Sequence, residues 1–500
     1  MTAAARTEVA HRGLLTVAIM TATIMHAIDT TIPNVALPHM QGALLATQEQ
    51  IAWVLTSYIV AAAIMTPPTG ALAARLGRRR LFVVAILGFT AASAMCGTAS
   101  SLTEMLVYRF LQGGFGAGLV PLSQATLLDA YPRERHGEAM ALWGMGFVAA
   151  PIFGPTIGGY ITEFHDWRWI FYINVPIGIV AALGVWAYLP KGRGNPEADF
   201  DWTGFGFIAL AIGALQIMLD RGHHLDWFQS TEIVALTVIA ALSFYLFLVH
   251  SFTAAKPLIE FAIFRDVNFV SGLLIGFLVA VVVLAMLALM SHLLQDVLDY
   301  PVIDAGYIMG PRGLGTFAAM LVAGRIVRYV DPRTIVVCGV ALTSSAFWLM
   351  TGFSLQVGAW ELVWTGFLQG FGMGCIYVPL STFSFSTLAP EFRTTGAALF
   401  SLVRNIGAST GIAILEALLA RNRQVYRSTI VEGITSYDVR FREPTPAAPW
   451  DLQTLDGLLR LSEEVDRQAK MLAYLTDFQW MTLITLIILP ILLIGRSRRH

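Results

Sequence analysis

The feature that most limits how this chain can fold is a series of apolar runs, each about 20 residues long. A helix of about that length crosses the hydrocarbon core of a bilayer. Hydrophobic residues make up 56% of the 500 residues and charged residues only 13%, against about 25% charged in soluble domains. We therefore predict an all-α polytopic membrane protein. The fourteen predicted spans are 14–37, 51–73, 80–98, 103–128, 139–162, 167–189, 203–219, 231–252, 268–294, 302–326, 334–354, 360–388, 395–420 and 476–495.

The positions of Lys and Arg test this division into spans. With the N-terminus in the cytoplasm, nineteen of them fall in the inside segments, and only Arg168 and Arg221 fall in the short outside loops. Cytoplasmic loops carry such an excess of basic residues. We therefore predict that both termini are cytoplasmic.

One long outer segment, about 421–475, interrupts this pattern. Three prolines lie in its middle, and leucines at helical spacing follow from about 451 to 474. This spacing predicts an amphipathic helix. It either lies on the outer face of the protein itself or docks a partner protein.

The two halves of the chain repeat each other. Phe-Leu-Gln-Gly at 110–113 recurs at 367–370, and the basic turn at 70–80 recurs at 324–333. Such repeats are typical of secondary transporters, whose site lies between two bundles that rock against each other. We predict an N-terminal six-helix bundle at 1–190, two inserted helices at 191–264 and a C-terminal six-helix bundle at 265–500.

Several other classes of protein do not fit the sequence. The net charge is −1, and no basic tract indicates a nucleic-acid partner. The three cysteines lie in apolar runs without zinc-ligand spacing, so neither a metal nor a cofactor is expected. The sequence has no HExxH motif of zinc proteases and no Walker A motif, and it has no GxSxG motif in the strand-turn-helix context of serine hydrolases. We therefore predict that the chain is not an enzyme.

Four motifs resemble those of the fourteen-helix drug:proton antiporters of the major facilitator superfamily, EmrB/QacA type. Residues 28–38 look like the family's span-one signature, and 108–113 match its RxxQG motif. The chain also has sequences similar to the family's loop motif GxLADRxGRR and to its antiporter motif GPxxGG. Their positions here are Gly70, Arg75, Gly77 and Arg78 for the loop motif, and Gly154, Pro155, Gly158 and Gly159 for the conformational motif.

The resemblance covers nearly the whole chain, and the EmrB branch is the nearest. It implies proton-driven multidrug efflux through the major facilitator fold. It also implies a bacterial inner-membrane location, a periplasmic adaptor of the EmrA type and an outer-membrane channel of the TolC type. In one departure, Ala74 replaces the acidic residue of the loop motif. The usual charge pairing of that residue with a neighbouring helix is therefore not expected.

Asp29 is the leading candidate for proton coupling. It lies about 24 Å along the first span at 1.5 Å per residue, where burial disfavours a charged carboxylate, so it can take up and release a proton. The alternative role for Asp29 is a structural salt bridge or a cap near a break at Pro33. His26 lies one turn earlier and either shares that proton or is an interior histidine. Arg109 has Gly366 as its counterpart in the second half, so the fold does not require it. It either assists Asp29, as the resemblance implies, or extends to the membrane interface.

The substrate cavity is expected to use adaptable Met, Phe and Trp side chains. The polar candidates for it are Gln112, Arg312, Arg404, Asn405 and Glu416. For Arg312 and Arg404 the alternative is bonding between helices, and for Glu416 it is an interfacial position. The functional alternatives are an exporter of a defined solute such as a fatty acid, siderophore or metabolite, and a scaffold that does not transport.

Overall fold

The computed structural model describes residues 11–192, 194–195, 199–222, 225–434 and 454–494. Eighteen α-helices make up the architecture of these residues. Their bounds are α1 Arg12–Asp29, α2 Ile32–Ala43, α3 Gln48–Met65, α4 Thr69–Leu76, α5 Arg78–Thr98, α6 Leu102–Gly116, α7 Leu119–Ala130, α8 His136–Phe164, α9 Trp169–Tyr172, α10 Asn174–Tyr188, α11 Trp202–Gly222, α12 Thr231–Thr253, α13 Val267–His292, α14 Val302–Ile326, α15 Pro332–Met350, α16 Ala359–Phe385, α17 Arg393–Glu432 and α18 Leu455–Ile494.

Short polar side chains begin several of these helices. Thr47 and Gln50 form a reciprocal capping box at the start of α3, and the Ser101 hydroxyl accepts from the Glu104 N–H at the start of α6. Asp266 accepts from two backbone N–H groups at the start of α13. Such caps satisfy donors that have no partner inside the helix.

Some predicted spans are broken in the structure. The span predicted at 14–37 is two helices, α1 and α2, bent by 44° at Thr30 and Thr31. The span predicted at 51–73 is α3 and α4, bent by 59°. Proline accounts for the positions of the two bends, because Pro33 follows the first bend and Pro68 immediately precedes α4. The first break agrees with the one expected at Pro33, whereas the bend before α4 was not expected from its apolar run.

Helices cover all fourteen predicted spans, and the membrane class is clear. Eight of the described helices are long and apolar enough to cross a bilayer, and the two bent pairs bring the number to ten. The exact number of fourteen crossings stays a prediction, as do the domain boundaries.

The two halves repeat a close helix crossing. In the first half, a Cβ on Gly113 of α6 would lie 2.2 Å from the Tyr58 carbonyl oxygen of α3. In the second half, a Cβ on Gly370 of α16 would lie 2.0 Å from the Arg312 carbonyl oxygen of α14. The repeated FLQG glycine therefore serves the same packing role twice. The inserted helices α11 and α12 pack on each other, and α11 also contacts α3 and α17.

The predicted amphipathic helix of the outer segment is confirmed, although it is not a separate surface helix. It is the first part of α18, which continues unbroken into the last predicted span. It pairs with the end of α17, where the Arg423 guanidinium donates two 2.8 Å hydrogen bonds to Asp466. We call this pair, Arg423–Glu432 with Leu455–Lys470, the hairpin. The three prolines in the middle of the outer segment lie outside the described residues.

Candidate functional site

Asp29 is the last residue of α1, directly before the α1–α2 break, and its side chain is 1% exposed. Three donors hold its carboxylate. Arg109 Nη1 donates to one oxygen at 2.9 Å, and Gln112 Nε2 and Asn174 Nδ2 donate to the other at 2.9 and 2.7 Å. The carboxylate therefore joins α1 to α6 and α10. Asn174 was not singled out from the sequence, where its only signal is an amide inside an apolar run.

Arg109 is also 1% exposed, and the groups around its guanidinium favour a positive charge. Its Nε donates to the Val54 carbonyl at 3.2 Å, and its Nη1 donates to Gln112 Oε1 at 2.8 Å. The guanidinium carbon lies 4.3 Å from the centroid of the Tyr58 ring. A buried ion pair is tolerated when such additional bonds satisfy both ions. The structure thus brings together the two residues that the sequence linked only by hypothesis.

No described hydrogen bond or ion pair joins the side chains of His26 and Asp29. Its Nδ1 lies 3.1 Å from the Tyr58 hydroxyl, and its ring packs edge-on against Phe89 with the ring centroids 6.0 Å apart. Because Tyr58 also packs against Arg109, the histidine and the ion pair share one neighbour. The proton-coupling role of all three residues stays a prediction.

The conformational motif lies against the α1–α2 break. A Cβ on Gly154 of α8 would lie 2.1 Å from the Thr31 hydroxyl oxygen, and one on Gly158 would lie 3.2 Å from an Ile32 methyl carbon. Gly159 is looser, with its nearest neighbour 3.9 Å away. Helix α8 continues through Pro155. The first and third residues of the motif are therefore glycines because the backbone of α8 approaches the chain directly after Asp29.

One end of the bundle carries Arg78 and Arg393, and we call it the basic end. The loop motif joins the two halves there. Asp129 of α7 pairs with Arg78 and also accepts a 2.5 Å hydrogen bond from Arg393 of α17. A second pair, Arg328 with Glu138, joins α8 to the turn after α14 at 3.3 Å. Although Ala74 cannot pair, Asp129 connects the loop motif to the second half.

The backbone of the loop motif explains its glycines. Gly70 packs on Thr395 of α17, with an added Cβ only 2.2 Å from the hydroxyl oxygen. Gly77 has φ +84°, which L side chains rarely adopt. Arg75 lies half-buried in the last turn of α4, and the carbonyl of Ala74 accepts from the Asn195 N–H at 2.9 Å.

Four side chains meet where the halves touch near mid-bundle. Trp143 stacks on Phe147 with centroids 5.6 Å apart and on Tyr377 of α16 at 6.3 Å. Arg404 of α17 lies 4.4 Å over the Phe147 ring and donates to the Tyr377 hydroxyl at 2.5 Å. We call these four residues the arginine–aromatic group. Only Arg404 was singled out from the sequence, because aromatic residues are common in every apolar span.

The polar and ring contacts between the halves that the structure describes lie on one side of this group. Among the described residues, the ion pairs, side-chain hydrogen bonds and ring contacts between α1–α10 and α13–α18 lie between the basic end and Arg404. Arg404 is eleven residues from Arg393, or about 16 Å along α17. The halves are therefore closed at the basic end.

The other predicted cavity residues are dispersed. Gln112 belongs to the Asp29 network, and Arg312 lies in the second half, where its Nη2 donates to the Val283 carbonyl at 3.1 Å. Asn405 is half-buried beside Arg404, whereas Glu416 lies three turns farther along α17. No group of three or more His, Cys, Asp or Glu suited to a metal occurs in the described part of the chain.

Comparisons with known proteins agree with this architecture. The family model of the Major Facilitator Superfamily matches residues 19–412. The chain is 35% identical to the multidrug export protein EmrB of Escherichia coli K12 over 86% of this chain and 85% of that protein. It is also 35% identical to the fatty acid resistance protein FarB of Neisseria gonorrhoeae, again over 86% and 85%.

A solved structure shares the fold at low sequence identity. The proton:xylose symporter XylE superposes with a TM-score of 0.61 at 12% identity, covering 97% of both chains. Because the family model matches more than half of the chain, and because the fold and two relatives agree with it, the chain is a multi-pass membrane transporter that belongs to the major facilitator superfamily, among its EmrB-type members.

Proposed function

We propose that the protein is a proton-driven exporter of hydrophobic and amphipathic toxic compounds that works by alternating access. The observation that carries this proposal is the buried Asp29–Arg109 pair at the α1–α2 break. Burial disfavours the charged carboxylate, whereas Arg109, Gln112 and Asn174 favour it. A group held in such a balance gains or loses its proton when one of these contacts changes.

The position of Asp29 supports coupling between its proton and the movement of helices. A proton on Asp29 neutralises the carboxylate and leaves Arg109 as a buried cation without a counter-ion, which is costly in a membrane interior. The adjacent break is packed against α8 through Gly154 and Gly158, and α8 also carries Trp143 and Phe147 at the contact between the halves. A shift at Asp29 can therefore reach this contact through one helix.

The orientation follows from the basic residues. We assign the basic end to the cytoplasm, both termini included, and the hairpin to the periplasm of a bacterium, with the bundle in its inner membrane. The closed basic end then corresponds to a state closed toward the cytoplasm. Asp29 is buried in this state, and we expect it to exchange its proton with the outer side when its surrounding contacts open.

A transport assay tests the coupling. Liposomes containing the purified protein and a pH-sensitive dye are given a proton gradient, and a panel of amphipathic compounds is added. We expect substrates to release protons through the wild type and not through Asp29→Asn, which keeps the side-chain size. Asp304→Asn, an exposed carboxylate at the start of α14, is the matched control. Equal proton release through wild type and Asp29→Asn would contradict the proposal.

The hairpin supports a partnership with a periplasmic adaptor of the EmrA type and, through it, an outer-membrane channel of the TolC type. It has exposed apolar side chains at Val431, Leu455 and Leu459 beyond the predicted spans. Replacing these three residues with serine is expected to abolish co-purification with the adaptor while proton-coupled transport in liposomes persists. Unchanged co-purification would exclude this surface.

A second candidate function is the export of a defined solute, in particular a fatty acid. The relative named for fatty acid resistance supports it at the same identity as EmrB. Competition between fatty acids and unrelated drugs in the transport assay separates the two functions. Transport of one compound class alone would favour the defined solute.

A further inference from the structure

A carboxylate in the second half is buried without a partner. Asp477 of α18 is completely buried, and neither of its carboxylate oxygens has a hydrogen-bond partner in the described structure. An ionised carboxylate in this position has lost its hydration and gained no compensating contact, which is energetically costly. A proton on the carboxylate removes the charge and most of this cost.

The surroundings of Asp477 suit a proton better than a metal ion. Helix α18 packs against α13, α15 and α17. Tyr474, one turn before Asp477, and Phe478 and Met481 after it all belong to the apolar core, and the Phe478 ring packs edge-on against Phe353 with the centroids 6.2 Å apart. A metal ion needs several oxygen ligands, which these side chains do not supply. A proton needs only one oxygen.

Two further carboxylates near Asp477 form with it a row of increasing burial. Tyr474 interacts electrostatically with all three of them, which are Asp296, Glu416 and Asp477. The side chain of Asp296, in the π-helical turn that follows α13, is 62% exposed. Glu416 of α17 is half-buried, and Asp477 is completely buried. Chains of carboxylates at membrane depth serve as proton relays, and this row leads from the surface toward Asp477.

The cations on the helices around Asp477 do not pair with it in the described structure. On the neighbouring helices they are His292 in α13, Arg333 in α15, and Arg393, Arg404, Arg421, Arg423 and Arg427 in α17. On α18 itself, Arg460, Arg467 and Lys470 pair with Asp456, Asp299 and Asp466. No described cation therefore neutralises Asp477, and a proton supplied from solvent does.

Asp29 and Asp477 lie in opposite environments. Three donors, Arg109 among them, favour the ionised form of Asp29, whereas Asp477 has no donor and its burial favours the protonated form. Two carboxylates whose environments differ in this way hold their protons at different steps of a cycle.

We infer that Asp477 is a second proton-binding site, occupied in this closed state and loaded from the outer side past Glu416. The inference goes beyond the proposed role of Asp29 and uses the proposed orientation of the hairpin. Asp477 lies 17 residues before Ile494, or about 26 Å from the inner end of α18, in the outer half of the membrane core. Loading forms an O–H bond on one carboxylate oxygen and needs no other reactant.

The test is infrared spectroscopy of the full chain in lipid nanodiscs, which reports the C=O stretch of protonated carboxylic acids. At pH 7 we expect a band from a buried acid in the wild type. Asp477→Asn should remove it, and Asp477→Glu should keep it at a shifted frequency. Asp29→Asn and Asp456→Asn should leave it unchanged, Asp456 being an exposed carboxylate of the same helix. No such band in the wild type, or one that persists in Asp477→Asn, would overturn the inference.

Exchange of the carboxylic proton for deuterium tests the path from the outer side. After transfer to D₂O, the shift of the band should be at least threefold slower in Glu416→Gln than in the wild type. Glu391→Gln, an exposed glutamate at the basic end, should exchange at the wild-type rate. Equal exchange rates in the two variants would refute loading past Glu416.

A change of salt separates a proton from a metal cation. Replacing choline chloride with sodium chloride at constant pH should leave the band unchanged, and loss of the band in sodium would show that a metal cation displaces the proton. Monodisperse elution and the retained band of Asp477→Glu show that the site tolerates substitution. A loss of the band in Asp477→Asn therefore reports the missing acid.

The liposome assay on the same variants distinguishes failure of this inference from failure of the proposed function. Proton release that depends on Asp29, without a band from Asp477, would leave export intact and refute the second site. A band that depends on Asp477, without proton release through Asp29, would support the second site and refute the proposed coupling.

Discussion

Gln112 and Gln369 occupy equivalent positions in the two halves, yet only Gln112 has hydrogen-bond partners. Gln112 donates to Asp29 and accepts from Arg109. Gln369 is equally buried, and neither its amide nitrogen nor its amide oxygen has a partner in the described structure. Both halves therefore have the glutamine, whereas the described structure places a polar network around it in the first half alone.

This difference predicts opposite effects for the same substitution. Gln112→Leu leaves Asp29 and Arg109 each short of one bond, which costs about 1–3 kcal/mol of folding free energy, and it should also lower proton-coupled flux. Gln369→Leu replaces an unsatisfied buried amide with an apolar group and should be neutral or stabilising. Unfolding temperatures in detergent and proton flux in liposomes measure both. A larger loss for Gln369→Leu would show that its amide has an essential partner.

Two neighbouring glycines of α6 should respond differently to alanine. A Cβ on Gly113 would lie 2.2 Å from the Tyr58 carbonyl oxygen, whereas the nearest atom to one on Gly114 is 3.7 Å away. Gly113→Ala therefore pushes α6 away from α3 and should lower the free energy of unfolding by about 1–3 kcal/mol. Gly114→Ala should be neutral or slightly stabilising, because alanine favours the helix. Thermal unfolding of the two variants compares them, and equal stabilities would refute the close crossing.

Asp129 should control the population of the state in which the basic end is closed. Asp129→Asn removes the partner of Arg78 and Arg393. Because these groups are partly exposed, we expect the closed state to become about 1–2 kcal/mol less stable relative to the open state. Spin labels at Glu134 and Glu391, which lie on opposite halves near this end, should report a longer distance in the variant. Asp304→Asn is the control, and an unchanged distance distribution in Asp129→Asn would exclude this role of Asp129.

Asp201 should make the packing of the inserted helices dependent on pH. Partial burial alone would raise the pKa of Asp201, but hydrogen bonds from the Gly204 and Leu258 N–H groups and from His250 outweigh it, so the pKa is lowered. A lowered carboxyl pKa in the folded state stabilises the protein above the unfolded value of about 3.9. This contribution is lost as the pH falls through the folded-state pKa.

The measurement is hydrogen exchange of α11 and α12 at several pH values. Protection of these helices should fall on acidification below about pH 4 in the wild type, and Asp201→Asn should lower it already at pH 7. Asp199→Asn serves as the control two residues away, because the Asp199–Lys256 pair is exposed and such pairs contribute little. Identical protection in Asp201→Asn and Asp199→Asn would contradict this role.

Much of the fold could be predicted from the sequence because its causes are local. Hydropathy fixes which segments enter a membrane, and the FLQG repeat with its offset of 257 indicates two similar halves. Asp29 and Arg109 could be singled out for the same reason, since a charged residue within an apolar run is conspicuous at its own position. The sequence also revealed that Ala74 lacks the expected carboxylate.

Only the tertiary structure decided which of these groups meet. It added Asn174 to the Asp29 carboxylate, Asp129 to the loop motif and Phe147 with Tyr377 to Arg404. Each of these contacts joins helices far apart in the chain, and an amide, a carboxylate at a helix end or an aromatic ring has no distinctive local pattern. The closure at the basic end likewise depends on how helices pack. Hydropathy therefore determined the spans, whereas packing between helices determined the site.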